Sequence, residues 1–311
     1  MTEAMHHRNQ KPQTTEDADL RYVNIAALTA SASLKLQWQS QVEAVMAIER
    51  ALPAMEVCIE PAVRALSHAD GRLIGAGAGT SGRLVVQDFT ELTPTFGWAP
   101  ERRIGLMAGG KKAVFRSVEG AEDNKRAGEA RIKALNPGPH DVVIGVAASG
   151  RTPFTIGAVE AARTAGAVTI AIANNAGSKL LDAAEFPIAI ETGAEVISGS
   201  TRLKAGTVQK ITLNMLSNQF MMGLGKVFEG RMVDMQATNE KLVKRAAKMV
   251  QDLTGCDEAR AKDMLAATKG WIKPTVLMGR FNLSAEGATQ ILERHQGNLH
   301  SCVAALTPAN N

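Results

Sequence analysis

Nine residues, "GAGAGTSGR" (75–83), hold four glycines, and from Gly77 to Gly82 they satisfy G-x-G-x-x-G. Within them Gly79, Thr80, Ser81, Gly82 and Arg83 offer backbone amides, two hydroxyls and a guanidinium. Two later stretches share that character. "ASGRT" (148–152) carries Ser149, Gly150, Arg151 and Thr152, and "GAEVISGSTRLKAGT" (193–207) carries Glu195, Ser198, Ser200, Thr201, Arg202 and Lys204. A phosphate monoester is held by several donors converging on its oxygens, and hydroxyls with amides at a helix N-terminus supply them. Any one such loop reads equally well as an ordinary helix cap. Arg202 and Lys204 are candidates for an anion or simple loop charges; Glu195 suits a sugar hydroxyl or an ordinary strand end. Carboxylates stand at Glu119, Glu122 and Asp123, three or four apart and so on one stripe of a helix, and at Glu91.

The elements that must position these residues show in the hydrophobic pattern. Short apolar runs at 72–76, 103–107, 141–147, 168–173 and 187–191 alternate with helix-like segments, which predicts a parallel sheet covered on both faces. The class is α/β, a doubly wound three-layer α/β/α sandwich with a mainly parallel sheet and a small C-terminal helical module. The three hydroxyl-rich stretches then follow three strands, at the carboxyl ends where such sheets bind ligands. Residues 25–68 predict two helices broken near Pro53 and Pro61, and the chain is helical again from about 205, with three short helices beyond Gly255. The expected division is a flexible tail (1–20), a ligand-binding domain with flanking helices (21–250) and the helical module (251–311). If the helix after the glycine loop starts at Ser81 and runs unbroken, Glu91 lies roughly 15 Å along it from that loop.

Several ligand classes are disfavoured. A dinucleotide site wants an acidic residue closing the second strand, whereas "RIGLM" leads into "AGGKK" (108–112), and no Walker lysine follows the glycines. A small phosphorylated molecule is expected instead. The net charge of +4 with 4% aromatics is too mild for nucleic acid. The polar first twenty residues and the lack of a long apolar run give no membrane segment. Cys58, Cys256 and Cys302 lack metal-ligand spacing, so a reduced cytoplasmic protein without zinc is expected. His6 and His7 fall in the tail, His68 and His140 precede strands, and His295 and His300 sit in the terminal module. None is placed for an isomerase that works through histidine unless that module covers the cleft.

The blocks "GAGTSGRL" (77–84), "TELTPTFG" (90–97), "LMAGG" (106–110), "VEGAEDN" (118–124), "GVAASGRTP" (145–153), "GSTRLKAGT" (199–207), "KITLNMLS" (210–217) and "MVDMQATNEKL" (232–242) resemble, in order and spacing, the signature of the N-acetylmuramic acid 6-phosphate etherases. That resemblance implies the sugar isomerase (SIS) fold, a homodimer, and a sugar-phosphate substrate whose D-lactyl ether is cleaved without metal or organic cofactor. It implies Glu91 as the acid at the departing lactyl oxygen and Glu122 as the base. The three loops then hold the sugar phosphate, and the length of helix between the glycine loop and Glu91 leaves two arrangements, an early break in the helix or, the one expected here, Glu91 serving the neighbouring subunit's site. One element departs: "TEDADLRYVN" (15–24) keeps Thr15 and Glu16 of the family's N-terminal Thr-Glu-x-Arg-Asn and breaks the rest. The competing readings are a non-catalytic SIS sensor of sugar phosphates and a sugar-phosphate isomerase.

Overall fold

The computed structural model of the chain describes residues 14–235 and 240–307. His6, His7 and the middle of the "MVDMQATNEKL" block lie outside the described residues. Two compact units form: residues up to Asp88 with Ile104–Leu216, and Phe89–Arg103 with the residues from Ser217 onward.

The first unit is built on five strands, β1 (Leu73–Gly77), β2 (Arg103–Met107), β3 (Val142–Ala147), β4 (Val168–Ala173) and β5 (Phe186–Ala189), in the order β2-β1-β3-β4-β5. Leu73 aligns with Val142, Val142 with Val168, and Ile170 with Phe186, all in parallel register. β1 and β3 are buried along their whole length. Their near-continuous Leu, Ile, Val and Ala content follows from that, since both faces of a central parallel strand are covered. All five expected strands are present. The chain reverses direction across the sheet between β1 and β3, so the loops leaving those two strands flank the crevice where such sheets take ligands.

Helix α1 (Ala30–Met46) passes through a 3-10 turn at Ala47–Ala51 into α2 (Leu52–Ser67), which packs on β3, β4 and β5. Pro53 sits in the first turn of α2, as expected of a break. Pro61 does not break the helix: Val57, whose carbonyl loses its i+4 partner there, is 62% exposed and lies on the solvent side. Helix α3 (Gly79–Phe96) leaves β1, α4 (Lys112–Phe115) and α5 (Lys125–Lys133) follow β2, and α6 (Pro153–Thr164) packs on β1, β3 and β4. Helix α7 (Lys179–Ala183) lies against β4 and β5, and α8 (Lys204–Gly223) follows the third loop. Ile74, Ala76, Val143, Ile132 and Ala158 form one core cluster, and Val159, Ala171 and Leu180 belong to a second.

The second unit holds a hairpin of β6 (Val227–Phe228) and β7 (Arg231–Met232), then α9 (Glu240–Thr254), α10 (Glu258–Ala267), α11 (Ile272–Phe281), α12 (Ala285–Arg294) and α13 (Leu299–Leu306). Beyond Gly255 there are thus four helices among the described residues, one more than expected. The short α13 follows a glycine-bounded turn, and its apolar residues Leu299 and Cys302 join Val250, Leu253 and Val276 in this unit's core.

Candidate active site

The turn from β1 into α3 is as tight as its glycines allow. A Cβ on Gly82 would lie 2.6 Å from the carbonyl oxygen of Gly77 and 2.4 Å from the Met107 sulfur, so only glycine lets the helix start so close to the strand. Helix α3 begins at Gly79 and runs unbroken to Phe96. Glu91 is exposed and more than three turns from its start.

Ser81 is buried and committed. Its Oγ donates to Gln209 Oε1 at 2.8 Å, Gln209 Nε2 donates to Asn174 Oδ1 at 2.8 Å, and Asn174 Nδ2 donates to the Ile190 carbonyl at 3.1 Å. The chain has one direction only, because the Ile190 carbonyl can do nothing but accept. That fixes the Asn174 amide, which fixes Gln209, which takes the Ser81 proton. Ser81 therefore presents lone pairs, not a proton, to any ligand. The Asn174 backbone amide also donates to Ala148 at 2.9 Å, so one network ties the ends of β1, β3 and β4 to α8. Asn214 Nδ2 donates to Asp88 Oδ1 farther along the α3 and α8 pair.

In the second loop, Gly150 has φ +65, and a Cβ there would meet Ser178 Oγ at 2.0 Å. Ser178 is buried and its hydroxyl has no hydrogen-bond partner among the described residues. Ser149 Oγ accepts from the Arg151 amide at 3.2 Å, Arg151 is exposed, and Thr152 precedes α6 without a capping bond.

Glu122 does not lie on a helix. Residues 119–123 form turns, with Gly120 at φ +67, and helix α5 starts only after Asn124, whose side chain caps it by accepting from the Ala127 amide. The expected carboxylate stripe is absent. Instead, the Glu122 carbonyl accepts from the Phe154 amide at 2.9 Å, just past Thr152, and Glu122 lines a cavity of about 310 Å³ with Gly79, Arg83, Met107, Ser117 and Glu119. Arg83 Nε donates to the carbonyls of Ala113 and Val114 at 3.1 and 3.0 Å, which holds its guanidinium against the cavity wall. Glu122 thus stands between the first two loops.

The third loop divides. Thr201 and Thr80 both approach Gly206, whose added Cβ would lie 3.3 Å from Thr80 Cγ2 and 3.4 Å from the Thr201 carbonyl, so these two loops meet. Glu195 has another task than the expected sugar contact: it is 1% exposed, Oε2 accepts from the Lys204 amide at 2.8 Å and Oε1 from the Ala205 amide at 2.9 Å. It caps α8, satisfying the helix's orphan donors. Burial pushes its pKa up, and the two amides pull it back. Lys204 is buried too, its Nζ donating to the Ala194 carbonyl at 3.0 Å, and burial lowers its pKa. Arg202 is exposed, Ser200 half-buried, and Ser198 donates to the Asp17 carbonyl at 3.3 Å.

That last contact belongs to an N-terminal segment that is fixed from Thr14 onward, where a loose tail was expected. Thr15 is wholly buried: its amide donates to Asn175 Oδ1 at 3.0 Å and its hydroxyl accepts from Asn175 Nδ2 at 2.9 Å. Asn174, Asn175 and Ser178 are not among the residues that the hydroxyl and glycine pattern marks, although "NNAGS" (174–178) is a polar loop leaving a strand like the other three. At the opposite end of the sheet, His140 Nδ1 bonds Asp70 at 2.9 Å and its ring stacks on His68 at 3.6 Å; both precede strands, as expected.

A mainly parallel 2-1-3-4-5 sheet with glycine and hydroxyl loops at its carboxyl end is the frame of a doubly wound ligand-binding protein, and the family models make it a SIS-domain protein. The SIS domain model matches residues 125–218, that of the glucokinase regulatory protein N-terminal SIS domain matches 57–163, and that of the C-terminal lid domain of glucokinase regulatory protein matches 229–270. Relatives named N-acetylmuramic acid 6-phosphate etherase match nearly the whole chain. The one from Deinococcus radiodurans is 47% identical over 92% of this chain and 94% of its own length. That from Photobacterium profundum is 42% identical over 94% and 96%, and that from Halalkalibacterium halodurans 46% over 83% and 87%. The chain belongs to the N-acetylmuramic acid 6-phosphate etherase family.

Proposed function

We propose that this protein cleaves the D-lactyl ether of N-acetylmuramate 6-phosphate, giving N-acetylglucosamine 6-phosphate and D-lactate in the recycling of cell-wall amino sugars. The observation that carries the site is the position of Glu122, which shares a cavity with Gly79 and Arg83 and whose carbonyl takes the first free amide after the second loop.

Ring opening turns C1 of the sugar into an aldehyde and acidifies the C2 proton. Glu122 removes that proton. The C3–O bond breaks, and the lactyl oxygen takes a proton from Glu91 as D-lactate departs. Water then adds across the alkene, its hydroxyl to C3 and a proton to C2. The amides of Gly79 to Gly82 with Thr80, and those of Ser149 to Thr152, hold the phosphoryl group, and Arg83 and Arg151 balance its charge. Ser81, with its proton given to Gln209, accepts from a sugar hydroxyl or the acetamido N–H. No step needs a metal or an organic cofactor. The working unit is a cytoplasmic homodimer in which Glu91 of one chain completes the other's site, consistent with an unbroken α3 that carries Glu91 away from its own glycine loop.

The test is release of D-lactate from N-acetylmuramate 6-phosphate in D₂O, with deuterium expected at C2 of the product. Glu122→Gln should lower the rate by about 10²–10⁴-fold, the usual range for a general base, with sugar-phosphate binding kept. A wild-type protein that binds sugar phosphates yet releases no lactate would be a sensor instead.

A further inference from the structure

A second cavity, about 700 Å³ and so larger than the one beside Glu122, lies wholly within the second unit. Its wall includes Asp234, just past the β6 and β7 hairpin, Lys269 to Trp271 between α10 and α11, and Ile272 and Lys273 at the start of α11. The size is that of a pocket for a small organic ligand.

Its charges do not cancel. Asp234 Oδ2 receives both Lys226 Nζ at 2.9 Å and Lys273 Nζ at 2.6 Å, and Lys273 also donates to the Gly297 carbonyl at 2.8 Å. Lys269 and Glu293 line the same wall, so three ammonium groups face two carboxylates. One positive charge is left over. Lys273 is only 8% exposed, and burial pulls its pKa down against the opposing pull of Asp234. A surplus cation held away from water is unfavourable unless an anion joins it. Trp271 borders this wall, makes no capping bond to the helix it precedes, and is 65% exposed. An exposed indole beside a cationic cavity offers an apolar face for the C–H side of a sugar ring.

We propose that this cavity is a ligand site separate from the one beside Glu122, taking a phosphorylated hexose with the phosphoryl group on the side of Lys226 and Lys273 that faces away from the Asp234 carboxylate and the ring against Trp271. It shares no residue with the loops that follow β1, β3 and β5, and does not depend on the reaction assigned to them.

The full-length protein is titrated with N-acetylglucosamine 6-phosphate, inorganic phosphate and unphosphorylated N-acetylglucosamine, followed by tryptophan fluorescence and calorimetry. The sugar phosphate should give a saturable fluorescence change and two bound molecules per chain. Trp271→Phe should abolish the fluorescence change, and Lys226→Met, at a half-buried position, should weaken that site at least tenfold in protein whose thermal unfolding matches wild type. Binding whose stoichiometry is unchanged in Trp271→Phe and Lys226→Met, or a fluorescence change that persists in Trp271→Phe through Trp38 or Trp98, would overturn the proposal. So would equal response to inorganic phosphate alone, since the hexose would then contribute nothing. Lactate release reports on the Glu122 cavity: release kept in both variants while the titration is lost supports a separate site, and wild-type release without any Trp271-dependent titration counts against this site only.

Discussion

Gln209 is uncharged and buried, yet it decides what Ser81 can offer a substrate. Replacing it with leucine leaves the Asn174 carbonyl oxygen without its donor and the Ser81 hydroxyl without its acceptor. Gln209→Leu is therefore expected to lose about 1–3 kcal/mol of stability in urea unfolding, and to raise KM more than it lowers kcat, because Ser81 becomes free to turn. Lys204 gives a pH signature. Its native pKa is lowered by burial from the ordinary 10.5, so between the lowered value and 10.5 the unfolded chain keeps a proton that the native chain has released. The unfolded state then binds more protons, and stability rises with pH across that window. Lys204→Met removes the group, so unfolding measured from neutral pH to about pH 10 should show the wild type gaining on the variant. These two roles were hidden in the sequence for one reason. A buried polar side chain in an apolar helix, or a lysine after a hydroxyl loop, looks the same locally whether it faces a ligand, a carbonyl or solvent.

At the scale of elements, the strands were legible because β-branched and small apolar runs bounded by glycine have few other uses, and the loops because hydroxyls and glycines gathered at one end of every strand that mattered. Glu119 to Asp123 was not legible. Charges three and four apart fit a helix, and only the left-handed Gly120 and the capping Asn124 turn that segment into a string of turns. Pro61 was misleading in the other direction, since a proline whose lost partner faces water leaves its helix standing. The turn between β1 and α3 gives the sharpest element-level prediction. Gly82→Ala sets a methyl against the Gly77 carbonyl and Met107, and should destabilise by about 1–3 kcal/mol, as overpacking does. Activity should fall further than stability requires, since the amides of Gly79 to Gly82 move with the helix start. Thermal unfolding beside lactate release separates the two effects.

For the whole molecule, the telling experiment is complementation. Glu91→Gln and Glu122→Gln proteins are each expected to be inactive. Unfolded, mixed in equal amounts and refolded, they should recover about a quarter of wild-type activity if sites are shared across a dimer, because half the dimers are mixed and each has one intact site. No recovery would place both glutamates in one chain's site. The buried pairing of Thr15 with Asn175 carries a practical corollary. The leader acts as a latch on the fourth strand's exit, so clipping the chain at residue 20 should loosen Ser198 and its neighbours, and a protease or an expression tag that reaches past Thr14 would blunt the enzyme without touching a single catalytic group.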